Sequence, residues 1–525
     1  MGKSAKTGGI LWMLILLSAI IRAFLAGYLE FGNDEVYYWT YALFPDLSHF
    51  DHPPMVGFLI QLTTLNLSAD SEFYIRLGSV LLGAFNTWLI FRIGRLLRDE
   101  LTGLYAAFLY TGSIYAFIIA GTFILPDTPQ LTFWLLSLWL LLKVILQGSE
   151  QRTGKWFLLA GVSTGLALLS KYTSVFILSG VFLYMLFIDR RWFRRWQVYA
   201  AAIIALLLFL PVLIWNFGND FISFTYQSER VGFFAAGLRP DFFFAELLGQ
   251  IFYNNPVNTV LAIIALVSFF RGRKFVDGKA ASLLMFIALP PIMLFLFFAL
   301  FRQTLPHWTG PAWTTLIIIS AVFLRDSGTR KNREKVIPAA VLSSLITLII
   351  VIVLGVMQIK GGMLFFDNSE DGKHLGEKDI SLDMYGWRQL SGEFDLILMH
   401  EASERNIDPN SPFICSRWFP AANIDYYLAR PHGLKVLGIG SLDALHKYAW
   451  MNRDRGGFRL GMDAWFLTLS RDFRDPLQIY GKYFESIEAA HVIPVHRNGR
   501  HVMNAYFYYL KGLKVIPEDL LAKEK

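Results

Sequence analysis

The sequence predicts a polytopic α-helical membrane protein, with about 11 transmembrane helices and further helices lying at one membrane face, followed by a C-terminal α/β domain. Three observations predict it. The 525 residues are 54% hydrophobic and 16% aromatic, with a mean hydropathy of +0.43, too apolar for a soluble chain of this size. Apolar runs long enough to cross roughly 30 Å of hydrocarbon as helices recur up to residue 357, and the composition turns mixed from 358. Lys and Arg cluster in alternate loops. The net charge of +7 therefore sits in short anchoring runs between apolar spans, which points to membrane lipids and not to nucleic acid as its partner.

In chain order, the expected spans lie near 9–28, 74–95, 102–124, 128–147, 156–170, 173–188, 198–215, 255–270, 281–300, 311–324 and 337–357. The N-terminus, MGKSAKTGG before an apolar run, resembles a signal peptide, but the run is long enough to span and reads as a retained signal anchor. With a cytoplasmic N-terminus, the inside loops hold Arg92/Arg95/Arg98, Lys143/Arg152/Lys155, Arg190/Arg191/Arg194/Arg195, Arg271/Arg273/Lys274/Lys279 and Arg325/Arg330/Lys331/Arg333/Lys335. The outside connections hold only Arg22, Arg76, Lys171, Arg230, Arg239 and Arg302. Such asymmetry orients a membrane protein, and an odd number of crossings puts the tail outside. The shorter apolar stretches 55–67 and 242–253 read as helices at the outer interface.

The division falls into a transmembrane domain, 1–357, and an α/β domain, 358–525. In the latter, β-like runs appear at 412–416, 424–428, 434–438, 465–469, 491–496 and 503–509, with a turn signal at Asn498-Gly499. The single cysteine, Cys415, excludes an intrachain disulfide and a Cys-rich metal site and reads as a small core residue.

Chemistry concentrates in the outside connections. From Tyr28 to Phe73 the acids are Glu30, Asp34, Glu35, Asp46, Asp51, Asp70 and Glu72, with no Lys or Arg among them. Asp34 and Glu35 open an aromatic stretch, Tyr37, Tyr38, Trp39, Tyr41 and Phe44, suited to stacking on sugar or lipid. Phe50-Asp51-His52-Pro53-Pro54 presents an acid and an imidazole in a stiff loop, because the prolines restrict the backbone. Paired acids could act as general base and electrostatic partner, or hold a divalent metal with His52 or His307.

Asp127 is the only charge between Glu100 and Lys143, in the hairpin Leu125-Pro126-Asp127-Thr128-Pro129, and Lys171 is the only charge from Trp156 to Ile188. Ionisable groups so close to lipid point to function, the plainer readings being a solvated turn acid and a snorkelling lysine. A lone ammonium there needs an anion, and phosphate suits it. Arg230, in the long connection 216–254, supplies a guanidinium able to grip phosphate, and Pro306-His307-Trp308 precedes the tenth span. Arg22, inside the first span, reads as a snorkelling arginine.

With Asp34-Glu35, Tyr37-Tyr38-Trp39, Phe50-Asp51-His52-Pro53-Pro54, Arg76-Leu77, Pro126-Asp127-Thr128-Pro129, Lys171, Trp215-Asn216 and His307-Trp308 in this order, the chain resembles the GT-C type membrane glycosyltransferases. These are related to protein O-mannosyltransferases, and the nearest resemblance is to the bacterial branch of lipid A aminoarabinose transferases and lipopolysaccharide-core galacturonosyltransferases. The resemblance implies inverting transfer of a sugar from a polyprenyl-phosphate donor to an envelope glycolipid or protein acceptor. It also implies a place in the bacterial inner membrane, with site and tail periplasmic. The catalytic acids carried over are Asp34 as base, beside Glu35 and Asp51, while His52, Asp127, Lys171, Arg230 and His307 would bind substrate. The resemblance leaves a divalent metal ion as the one possible cofactor, with candidate ligands Asp34, Asp51, His52 and Asp127. Where aminoarabinose transferases carry Lys before the prolines, this chain carries His52, as the galacturonosyltransferase-like branch does. The competing class is a transporter or flippase of lipid-linked sugars.

Overall fold

The computed structural model describes residues 3–147, 150–232, 237–332, 335–364, 372–404 and 408–522. The chain forms two compact units, one of residues 1–27 and 45–351, the other of 28–44 and 352–525. The helices in chain order are α1 (Lys3–Tyr28), α2 (Asn33–Leu43), α3 (Met55–Thr63), α4 (Glu72–Leu97), α5 (Glu100–Gly112), α6 (Asp127–Gln147), α7 (Glu150–Leu168), α8 (Val175–Phe187), α9 (Trp196–Gly218), α10 (Ile222–Val231), α11 (Pro240–Tyr253), α12 (Pro256–Phe270), α13 (Gly278–Phe298), α14 (Gly310–Arg330) and α15 (Ala339–Val356). All but α2 belong to the first unit or run out of it.

Among the described residues seven helices are long and apolar enough to cross a membrane, or eight if α11 and α12, which meet at a 98° bend, count as one broken span. Three of the eleven expected runs fall short of that length and apolarity for local reasons. The run 102–124 is cut at Ser113, where α5 ends and a π-helical turn, Tyr115–Ile119, takes over. The run 173–188 yields only a short apolar helix, Tyr172–Phe187. The run 156–170 is part of α7, whose first turns carry charge. Crossing number alone therefore no longer orients the tail.

Side-chain caps start several helices. Asp99 accepts from the Thr102 N–H at 2.8 Å at α5, and Asp277 accepts from Ala280 N at 2.9 Å at α13. Small residues let helices close up: a Cβ on Gly161 of α7 would lie 2.4 Å from the Ala201 carbonyl oxygen of α9. Basic loops that the charge alternation put on one side do meet at one end of the bundle. Asp326 accepts from Arg98, Arg273 and Arg330, and Asp189 from Arg191 and Lys279. Arg22 does not snorkel. It is fully buried inside the bundle, because its side chain faces α4 and not the lipid.

In the second unit a five-stranded sheet runs β2-β1-β3-β5-β4, from β1 (Phe413–Cys415), β2 (Val436–Gly438), β3 (Ala464–Leu469), β4 (Phe484–Arg497) and β5 (Arg500–Leu513). The first pairs are parallel and the last antiparallel. Asn498 and Gly499, both at positive φ, close the β4–β5 hairpin as the turn signal expects. The expected strand 424–428 is instead helical, ending Trp418–Ile424 and continuing as a π-helical turn, Asp425–Ala429, with every residue of that turn buried. A short run buried on every side does not separate strand from helix by its period. Residues 28–44 pack here: the Phe31 N–H donates to the Tyr427 hydroxyl at 2.8 Å, Trp387 N–H donates to Glu30 Oε2 at 2.8 Å, and Trp39 lies edge-on to Tyr426 at 5.3 Å.

Replacing Gly161 by Leu forces α7 off α9. Thermal unfolding of the purified protein should show a stability loss of about 1–3 kcal/mol, whereas an unshifted midpoint would mean the helices are not in close contact.

Candidate active site

Asp127 opens α6 just after Pro126, and Pro129 sits in the first helical turn, where a missing N–H costs nothing. One turn on, the Gln130 amide donates to the Thr173 and Ser174 hydroxyls at 2.7 and 3.1 Å. That strap fixes the tight turn between α7 and α8 against α6. Lys171, extended at φ −159°, leads into the turn, and its ammonium donates to Asp127 Oδ2 at 2.7 Å. The Tyr115 hydroxyl donates to Asp127 Oδ1 at 3.0 Å. Asp127 is 2% exposed and Lys171 4%, so both carboxylate oxygens are satisfied inside the protein, which is what makes a buried charge tolerable.

The loop 44–54 is pinned at several points. Asp46 accepts from the Trp215 indole at 2.8 Å, the His49 carbonyl accepts from Ser223 at 3.0 Å, and the Asp51 carbonyl accepts from the Gln227 amide at 2.6 Å. Phe50 packs on Tyr226 at 4.7 Å, and the Met55 N–H donates to the Leu169 carbonyl at 3.2 Å, two residues before Lys171. The result places Asp51 and His52 by α10 and by the Lys171 turn. His52 Nε2 lies 4.0 Å from Asp51 Oδ2. Burial pushes the His52 imidazole down to about 4; Asp51 opposes the shift, while Lys171 and Arg230 add to it. At neutral pH this ring is uncharged, so it can accept or donate a hydrogen bond without adding charge.

His307, on the turn Pro306–Thr309 before α14, lies in the field of Lys171, Asp127, His52 and Arg230. Arg230 ends α10, with its guanidinium 4.7 Å from the Trp308 ring centroid and 5.5 Å from that of Tyr226. Among the described residues no carboxylate lies within ion-pair distance of Arg230. Asp51, His52, Asp127, Lys171, Arg230 and His307 thus share one unit and one electrostatic neighbourhood. Lys171 already has a carboxylate, which the sequence reading did not foresee, and Arg230 is the cation with unspent charge.

Asp34 and Glu35 belong to the other unit. Asp34 is exposed in the first turn of α2, where a carboxylate is favoured by the helix dipole. Glu35 is buried and accepts from the Gly32 N–H at 3.1 Å, closing the cap that starts this helix. Glu35 therefore holds the helix that presents Asp34. Among the described residues no three His, Cys, Asp or Glu side chains are grouped to hold a metal ion, and no step is assigned to one.

Sequence reasoning passed over Tyr115, Gln130 and Gly310. Nothing charged marks Tyr115, but a Cβ on Gly310 would lie 2.3 Å from the Tyr115 ring, so the glycine opening α14 makes room for the phenol that holds Asp127.

Comparison with known proteins agrees with this architecture. Residues 51–215 match the dolichyl-phosphate-mannose-protein mannosyltransferase family model. Lipid A galacturonosyltransferase RgtD of Rhizobium johnstonii is 23% identical over 61% of this chain and 64% of its own. The undecaprenyl phosphate-alpha-4-amino-4-deoxy-L-arabinose arabinosyl transferase of Yersinia pestis is 24% identical over 55% of this chain and 52% of its own. The chain thus spans less than two thirds of the length of these curated relatives. The crystal structure of ArnT from Cupriavidus metallidurans, bound to undecaprenyl phosphate, superposes with a TM-score of 0.64 at 13% identity, over 96% of this chain and 98% of that one. The chain is a multi-pass membrane protein with the GT-C fold.

Lys171→Met strands the Asp127 carboxylate and should cost about 3–5 kcal/mol in denaturant unfolding, with the double variant Asp127→Asn/Lys171→Met recovering most of it; a single variant as stable as wild type would dissolve the pair. Because the His52 pKa is depressed in the folded state, protons bind the unfolded chain first. Its contribution to stability is full above pH 6.5 and is lost as pH falls toward about 4. In His52→Gln the melting temperature should fall less steeply across that window; parallel profiles would refute the assignment.

Proposed function

We propose that this GT-C-fold membrane protein is an inverting glycosyltransferase that moves a sugar from a polyprenyl-phosphate carrier to an acceptor of the bacterial envelope. The acceptor class is a glycolipid of the lipid A or lipopolysaccharide kind, with protein as the further candidate. The setting is the periplasmic face of the inner membrane, the N-terminus cytoplasmic, with 1–357 as the catalytic membrane part and 358–525 as a periplasmic cap. The carrying observation is the charge arrangement around Asp127: Lys171 neutralised by a buried carboxylate, two imidazoles, and Arg230 unpaired by any described carboxylate. Among the described charges here Asp51 opposes an anion, while Arg230 and the remaining Lys171 N–H donors attract it. The sequence similarity to the Yersinia undecaprenyl phosphate-linked arabinosyl transferase supports a lipid-phosphate-sugar donor, and that to the lipid A galacturonosyltransferase RgtD supports a glycolipid acceptor.

In this reading Arg230 grips the phosphate of the donor, with the planar fork that suits phosphoryl oxygens. The Lys171 ammonium has one N–H committed to Asp127 and further donors to offer. Both stabilise the charge that grows on the phosphate as the glycosidic C–O bond breaks. Neutral His52 supplies hydrogen bonds there, and His307 lies in the same electrostatic field. Asp34 is proposed as the general base, on the family resemblance, taking the acceptor's proton as its oxygen attacks the anomeric carbon. A positioned base contributes typically about 10²–10⁴-fold. Asp51 is proposed as the neighbouring acid, and Glu35 acts through the cap of α2.

Mass spectrometry of envelope glycolipids and glycoproteins from cells with and without the protein should reveal a species one sugar heavier in its presence. Asp34→Asn should remove that species while the protein stays folded and membrane-inserted. Undiminished product in that variant would take Asp34 out of the mechanism, and identical profiles with and without the protein would refute transfer.

A further inference from the structure

Away from this site, Arg22 of α1 is fully buried in the membrane bundle, and none of its three guanidinium nitrogens has a hydrogen-bond partner among the described residues. A guanidinium stripped of water and left without an acceptor is costly enough that buried arginines are normally paired. The surroundings are built for it. Its ring-facing side stacks on Phe117, 4.3 Å from the centroid. Gly83 of α4 and Gly121, after the π-helical turn, leave space: a Cβ at either would stand 3.1 Å from Arg22 Cζ or 3.0 Å from its Nε.

The groups beside it are polar. The Tyr110 hydroxyl and both the amide nitrogen and oxygen of Asn86 are buried, with no hydrogen-bond partner outside the cluster among the described residues. Tyr110 lies within electrostatic reach of Arg22, and Asn86 adjoins Tyr110. Among the described residues no carboxylate forms an ion pair with Arg22. The cluster is therefore rich in donors, five guanidinium N–H, one amide NH2 and one phenol O–H, and its two acceptors, the Asn86 carbonyl and the Tyr110 phenol oxygen, are uncharged. It bears one uncompensated positive charge.

We propose that Arg22, Asn86 and Tyr110 form an intramembrane binding site for a small inorganic monoanion of the chloride class. One monovalent anion neutralises the guanidinium and accepts from all three side chains. A divalent phosphate would leave excess negative charge in an apolar bundle. Water would satisfy the donors and leave the positive charge unbalanced. Phe117 lies within the π-helical turn Tyr115–Ile119 and Gly121 just after it, so the bound ion steadies the turn whose first residue holds Asp127. The site owes nothing to the choice of sugar or acceptor.

The test is thermal unfolding of the purified full chain in chloride and in gluconate at equal ionic strength. Wild type should melt a few degrees higher in chloride, with a saturable dependence on its concentration, and Arg22→Met should lose the difference. Equal melting of wild type in both salts, or an undiminished chloride effect in Arg22→Met, overturns the proposal. Should Arg22→Met not fold, Asn86→Leu keeps the charge and removes one donor. Its half-saturating chloride concentration should rise several-fold, and an unchanged value is equally fatal. Neither readout uses donor or acceptor, so failure here leaves the transfer reading untouched.

Discussion

The buried ion pair between Lys171 and Asp127 is the constraint around which the candidate site is arranged. Each partner lies where two helices turn, and neither could be buried without the other. Satisfying the pair commits the hairpin before α6, the turn between α7 and α8, and Tyr115 on the π-helical turn to a single geometry. Gly310 is a consequence of that geometry, since the phenol occupies the space any side chain there would fill. A hydrogen-bonded network of this kind, once complete, is rigid. Its rigidity matters because charge stabilisation in catalysis depends on groups that need not reorganise.

The pair also redistributes roles. Lys171 is the obvious cation in the sequence, standing alone over a long apolar stretch, yet its charge is balanced within the protein. Arg230, less conspicuous among the residues of a long connection, is left over two aromatic faces without a described carboxylate partner. Aromatic faces attract a guanidinium without neutralising it, so its capacity for an anion is kept. His52 is uncharged at neutral pH because burial outweighs the nearby acid, and so it does not compete for a phosphate.

How much was legible follows from what each signal measures. Isolated charges in apolar runs, Asp127 and Lys171, are visible because their burial is expensive, and the structure brings them within 2.7 Å. The prolines and acids of the 50–54 loop announced a stiff presentation, and it is pinned to α10. Tyr115 and Gly310 carry no charge and no motif, so their role is visible only once the helices are packed. Span counting overshoots where an apolar run stops partway, as at Ser113, while the bend between α11 and α12 falls where the sequence already separates an interfacial helix, 242–253, from a span, 255–270. The strand expected at 424–428 failed because full burial erases the period that tells strand from helix. Arg22 looked like a lipid-boundary residue because sequence position says nothing of which way a helix is turned.

The placement of residues 28–44 with the C-terminal unit was not visible in hydropathy at all. It rests on individual contacts, Phe31 with Tyr427 and Glu30 with Trp387. The segment that bears Asp34 is thus held by residues almost 400 positions away in the chain.

The most direct measurement of the site's central feature is the affinity of the purified protein for polyprenyl phosphate, compared between wild type and Arg230→Ala by native mass spectrometry or calorimetry. Losing a bidentate charged contact should weaken binding roughly ten- to a hundred-fold with the fold intact. An Arg230→Ala protein that binds the lipid phosphate as tightly as wild type would contradict the assignment of Arg230 as the phosphate's partner.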